Sequence, residues 1–197
     1  MGDIGETVSE AVEQGKESRL NSAIALLVAI AATFMALCNV KDGNIVQAMA
    51  QAQANAVDTW SYFQSKSTKQ ALAESMVDQL TVQRDLATAP DVRASLEKRI
   101  TEYTARVKRY ETEKNDIKTK AEGFQKEYDA LNVHDDQFDL SDAALSVAIA
   151  LFGVTALTQK RWLFGLAAIF MLVGVVFGIA GFFRLALHPD AVTSIFS

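Results

Sequence analysis

With a single cysteine, Cys38, the chain has no intrachain disulfide to form, and one thiol says nothing about redox compartment. It also lacks a glycine-rich phosphate loop, paired-cysteine metal spacing, and any Ser, His and acid set that can be placed together. The expectation is therefore a non-enzymatic protein, with no catalytic, cofactor-binding or metal-ligating residues. No basic block stands out, and the net charge of −5 is spread along the chain, so nucleic acid is not expected as a partner. Charge is absent where it would matter most for transport. The long apolar runs contain no Asp, Glu, Lys, Arg or His, residues that usually mark proton or ion routes through a membrane.

Those apolar runs decide the class. Residues 20–40, "LNSAIALLVAIAATFMALCNV", and 162–183, "WLFGLAAIFMLVGVVFGIAGFF", each approach the ~20 residues a helix needs to cross ~30 Å of hydrocarbon. A third run, "AALSVAIALFGVTALT" at 143–158, reaches a full span only with Leu140, Ser141 and Asp142 at the interface. It joins the last run through "QKR" alone, which leaves room only for a tight membrane hairpin. The reading is an all-α membrane protein with transmembrane helices at 20–40, 142–158 and 162–187, a polar N-terminal segment at 1–19 and a C-terminal tail at 188–197. The acidic segment 1–19 lacks the basic start and small-residue cleavage site of a removable signal peptide and is expected to stay attached.

Short flanks carry the orientation signal. Lys16 and Arg19 precede the first span, and Lys160 and Arg161 sit in the tight connection, so both flanks are assigned to the cytoplasm. Residues 41–141 and the C-terminus then lie on the other side. The expected location is a bacterial inner membrane, crossed several times.

Residues 41–141 hold about half the chain and the clearest periodicity. Ile100, Tyr103, Val107, Tyr110, Lys114, Ile117, Ala121, Phe124, Tyr128 and Leu131 alternate steps of three and four, the seam of a left-handed coiled coil with Lys114 as its polar break. Met49, Ala52, Ala56, Trp60, Phe63, Ser67, Met76 and Leu80 follow a similar track. Between them "TAPDV" contains Pro90, which can start a helix but not continue one. An antiparallel coiled-coil hairpin with its tip at 88–91 follows, in which facing residue numbers sum to roughly 179. That mirror sets Ala52 and Ala56 opposite Tyr128 and Phe124, and Phe63 near Ile117, so small meets large along the seam.

The stretch "WSYFQSK" concentrates aromatic residues. Trp60, Phe63 and Ser67 share one helical face, while Tyr62 and Lys66 point to another, so Trp60, Tyr62, Phe63, Gln64 and Lys66 form a candidate packing or partner interface. Tyr62 and Lys66 are assigned to contact with another subunit. A second block, "HDDQFDLSDAALSVAIALFGVTALTQKRWLF", enters the paired spans with His and Phe-Asp and joins them through a basic connection. With these two blocks the chain resembles the bacterial membrane-protein family catalogued as domain of unknown function four-three-three-seven. The resemblance implies the membrane architecture and brings no activity with it.

His134, Asp135, Asp136 and Asp139 offer metal-type ligands. The stronger reading treats this acidic stretch, with Ser141 and Asp142, as the start of a helix favoured by its dipole. Inside the spans, Gly174, Gly178 and Gly181 form a small-residue stripe suited to close helix packing. The functional expectation is a homo-oligomeric coiled-coil scaffold or adaptor embedded in membrane lipid, with an unidentified protein partner at the coil. The alternative is a channel-like oligomeric assembly enclosing a pore.

Overall fold

The computed structural model describes residues 3–185, with the side chains of 3–14 and 16–18 outside that description. The expected tail at 188–197, positions 186–187 of the last expected span and the Lys16 side chain therefore lie outside the described residues. Among the described residues the fold consists of three helices: α1 (Asp3–Leu86), α2 (Pro90–Thr158) and α3 (Arg161–Phe182). Each contains a stretch long and apolar enough to cross a membrane, and no strand occurs among the described residues.

The helix boundaries follow from local chemistry. α1 stops before Pro90, which opens α2 at the first helical position, where its missing amide proton costs nothing. Asp91 follows in the first turn, where the helix dipole favours an anion. The Arg93 guanidinium donates to the Ala87 carbonyl, tying the new helix to the connection. α2 ends at Thr158, after which Gln159 takes a left-handed φ of 54°. α3 closes with Arg184 at φ 51°, the Arg184 N–H on the Gly181 carbonyl and the Leu185 N–H on the Ala180 carbonyl. This is a Schellman motif with arginine where glycine is usual.

One expectation is overturned here. Ser141 and Asp142 do not start a helix: α2 runs without a break from Pro90 through both of them. Nothing in 130–142 interrupts the helical backbone, and the Ser141 hydroxyl, buried, donates to the Gly174 carbonyl at 2.8 Å instead of capping. Likewise α1 passes the 40/41 boundary as one helix.

The chain divides into two compact units, one comprising residues up to 48 and from 130, the other Met49–Asp129. In the first, Ile24, Ala148, Phe152 and Ala167 make a core cluster, with Leu20, Phe164 and Phe170 packed against it. The Gln159 amide donates to Asn21, the Ser146 hydroxyl reaches the Met35 sulfur, and the Ser141 hydroxyl approaches the Cys38 sulfur. Phe182 at the end of α3 contacts the rings of both Phe34 and Phe138. Leu26, Ile30 and Leu37 of α1, Val147 and Val154 of α2, and Ile169, Leu172 and Val176 of α3 remain exposed.

In the second unit, all of the residues that carry the three-and-four spacing are covered. Met49, Ala52, Ala56 and Leu80 of α1 and Ile117 and Ala121 of α2 are buried; Trp60, Phe63, Ile100, Tyr103, Val107, Tyr110, Lys114, Phe124 and Tyr128 are half-buried. Alanine at the most enclosed positions lets the backbones approach, as small residues in a helix seam do.

Candidate functional site

The aromatic stretch on α1 places its residues on two faces, as its spacing requires. Trp60 and Phe63 lie on the covered side and meet edge to face, with ring centroids 5.4 Å apart. That geometry suits the ring quadrupoles. The Lys114 ammonium of α2 lies 5.8 Å from the centre of the Phe63 ring. The polar break in the seam is therefore a cation over an aromatic face, which rewards a charge placed among apolar residues.

Lys66 is the most engaged residue of the group. Its ammonium pairs with the Glu113 carboxylate of α2 and lies 5.3 Å and 5.4 Å from the ring centres of Tyr62 and Tyr110. The hydrogen bond to Glu113 raises the Lys66 pKa, and the same bond lowers that of Glu113. Arg109 supports both partners, lying over Tyr110 and 3.6 Å from the second Glu113 oxygen. Tyr62 keeps half its surface exposed, and Gln64 is exposed. Lys66 thus contacts α2 of its own chain. Tyr110 belongs to the seam that the spacing marks, whereas Glu113 was not singled out from sequence, although the mirror sum of 179 sets position 113 opposite position 66.

The glycine stripe of α3 is filled from within the chain. A Cβ on Gly174 would meet the Leu145 side chain at 2.7 Å and the Ser141 carbonyl at 3.0 Å. On Gly178 it would stand 2.6 Å from the Phe34 ring and 2.8 Å from the Ser141 hydroxyl, and on Gly181 2.8 Å from the Phe138 ring. All three glycines admit a large side chain or a backbone from α1 or α2, so the close packing serves the fold of one chain. Gln137, also buried, donates to the Leu185 carbonyl at 2.8 Å and so secures the end of α3.

At the Asp42 end of this unit, acidic residues gather. The carboxyls of Asp42 on α1 and Asp135 on α2 lie beside each other, with Asp139, Asp142 and Asp136 near them. Burial, then the neighbouring Asp42 and Asp139 charges, push Asp135 up to about 6. Burial likewise raises Asp42. Two carboxyls this close disfavour double ionisation. His134 turns to Gln137, 3.3 Å away. Among the described residues no three His, Cys, Asp or Glu side chains converge in a way that would hold a metal ion.

At the α1–α2 connection an open recess is lined by Arg84, Asp85, Arg93, Ala94 and Glu97. Arg84 is already paired with Asp85 and with Glu97, which leaves that recess electrostatically satisfied.

The family described as Domain of unknown function (DUF4337) matches the chain over residues 20–184. No curated protein and no solved structure matches the chain.

Proposed function

Starting from a chain that belongs to the DUF4337 family, we propose a non-enzymatic, homo-oligomeric membrane scaffold. In this reading three transmembrane segments anchor an antiparallel coiled-coil hairpin that presents its arms to protein partners. The observation that carries it is the pairing of α1 with α2. Lys66 meets Glu113 and Arg84 meets Glu97, pairs whose numbers sum to 179 and 181, as a chain folded back about Pro90 requires. Two paired helical arms offer surface to a protein partner.

Membrane crossing is supported by the three apolar stretches and by what they expose. Leu26, Ile30, Leu172 and Val176 stand exposed, which suits lipid and not water. The hydroxyls of Thr33 and Thr155 bond back to the carbonyls of Ala29 and Leu151, so helix polarity is satisfied internally, as hydrocarbon demands. An inner-membrane location, with Lys160 and Arg161 on the cytoplasmic side and the hairpin on the other, follows the basic flanks.

The scaffold is preferred to a pore because the buried polar side chains Gln137, Ser141 and Thr155 each bond within the chain. Purified protein in liposomes tests the choice. No ion conductance is expected, with vesicle-bound protein resisting alkaline extraction. Steady unitary conductance would replace the scaffold by the channel, and alkaline release would remove the membrane anchor.

A further inference from the structure

The outer face of α1 within Met49–Asp129 differs sharply from that of α2. Residues 49–86 contain seven charged side chains and 90–129 contain nineteen, so the two arms present different chemistry to the outside. On α1, Ala54, Val57, Ser61, Leu72, Val82 and Leu86 are all exposed, and the positions that link them by steps of three and four are Gln, Ser and Thr. No charge interrupts this line. Val57, Leu72, Val82 and Leu86 expose between 58 and 77% of their surface. It is a second seam with coiled-coil spacing, on the side of α1 away from its buried alanines.

We propose that this seam is the contact between two copies of the chain, α1 against α1 in parallel. The proposal rests on the homo-oligomer reading above and names its interface. A second copy is the occupant that charge favours: the seam pairs with itself without taking any charge out of water, whereas docking the lysine- and glutamate-rich outside of α2 against it would strand charges on an apolar line. Copies inserted in one membrane share one direction, so a two-fold axis brings each seam residue beside its own counterpart. Small residues such as Ala54 and Ser61 let the backbones approach. From Ala54 to Leu86 the seam runs ~48 Å at ~1.5 Å per residue, and with a helix ~10 Å across it covers roughly 500 Å² per copy. That total of about 1,000 Å² reaches the lower bound for a specific interface. Lys66 does not belong to it, being held by Glu113.

Single cysteines in the full-length Cys38→Ala chain test the seam. Leu72→Cys and Val57→Cys, oxidised in membranes, should each give a disulfide-linked pair of chains, and Lys118→Cys on the exposed side of α2 should not. A companion variant, Val57→Lys with Leu72→Lys, should lose its oligomeric mass while its helical circular dichroism stays unchanged. If the seam cysteines fail to link while the native mass remains a multiple of one chain, the seam is wrong and the oligomer stands. If they fail and the mass is that of one chain, the homo-oligomer falls as well. A Val57→Lys, Leu72→Lys chain that keeps its full mass would also overturn the seam.

Discussion

Lys66 of α1 and Glu113 of α2 form an ion pair across 47 residues of sequence, with the Tyr62 and Tyr110 rings beside the ammonium. Lys66 is largely covered, its side chain 13% exposed. Removing either partner therefore leaves the other poorly compensated. Lys66→Ala and Glu113→Gln should each lower the melting temperature, and the double variant should lose less than the sum of the two. The control Lys126→Ala, at an exposed position, should change nothing. Strict additivity in this double-mutant cycle would show that the pair contributes nothing.

Gly178 lies against Phe34 and Ser141, and a methyl there must displace one of them. Gly178→Ala should destabilise by ~1–3 kcal/mol, the usual range for overpacking, while Gly165→Ala, which faces open space, should be within ~0.5 kcal/mol of neutral. Thermal unfolding in a fixed detergent measures both. Adding Phe34→Leu to Gly178→Ala should recover part of the loss; equal behaviour at the two glycines would remove the packing argument.

Ile117 is buried in the covered seam of α2. Ile117→Ala should cost ~2–4 kcal/mol, at the level of large-to-small changes in packed sites, and Trp60→Ala less than complete burial of its ring would imply, because Trp60 is half-buried. Denaturant titration followed by circular dichroism reads both. A loss below ~0.5 kcal/mol at Ile117 would mean that the arms do not pack through this face.

The Asp42–Asp135 pair gives a pH dependence whose sign is fixed. Asp135 holds its proton up to about 6 in the folded chain, above the ordinary carboxyl range, so the folded state binds more protons than the unfolded state between roughly 4 and 6. Stability from this group is therefore present below that window and is lost as pH rises through 6. Groups near it are Asp42, Asp136 and Asp139, all acidic, so each adds in the same direction. The melting temperature of wild type relative to Asp135→Asn should fall on going from pH 5 to pH 7. A difference that stays flat, or rises, contradicts the raised Asp135 carboxyl.

Much of this was legible in the sequence because two different periodicities carried it. Charge-free runs of membrane length marked the apolar helices, and steps of three and four from Ile100 to Leu131 marked the residues that the structure covers. Pro90 marked the break between α1 and α2, since its ring cannot continue a helix. What escaped was side-chain company. Ser141 and Asp142 looked like a cap because a local pattern cannot reveal that a hydroxyl will instead reach Gly174 on another helix. Lys66 looked free for a partner subunit because Glu113 lies 47 residues away, and only the mirror register connects them. The residues that lie against the glycines of α3, Phe34, Ser141, Leu145 and Phe138, come from two other helices, a company that the glycine spacing does not reveal.

The central claim, that several copies of this chain assemble in the membrane through a helical scaffold, meets its most direct test in the native mass of the full-length protein released from lipid nanodiscs. With a chain of 21.5 kDa, the account expects a single dominant mass at a whole-number multiple of at least two, retained when Lys66 is replaced by Ala and lost when Val57 and Leu72 are both replaced by Lys. A dominant mass of one chain, at protein-to-lipid ratios high enough for encounter, would contradict it.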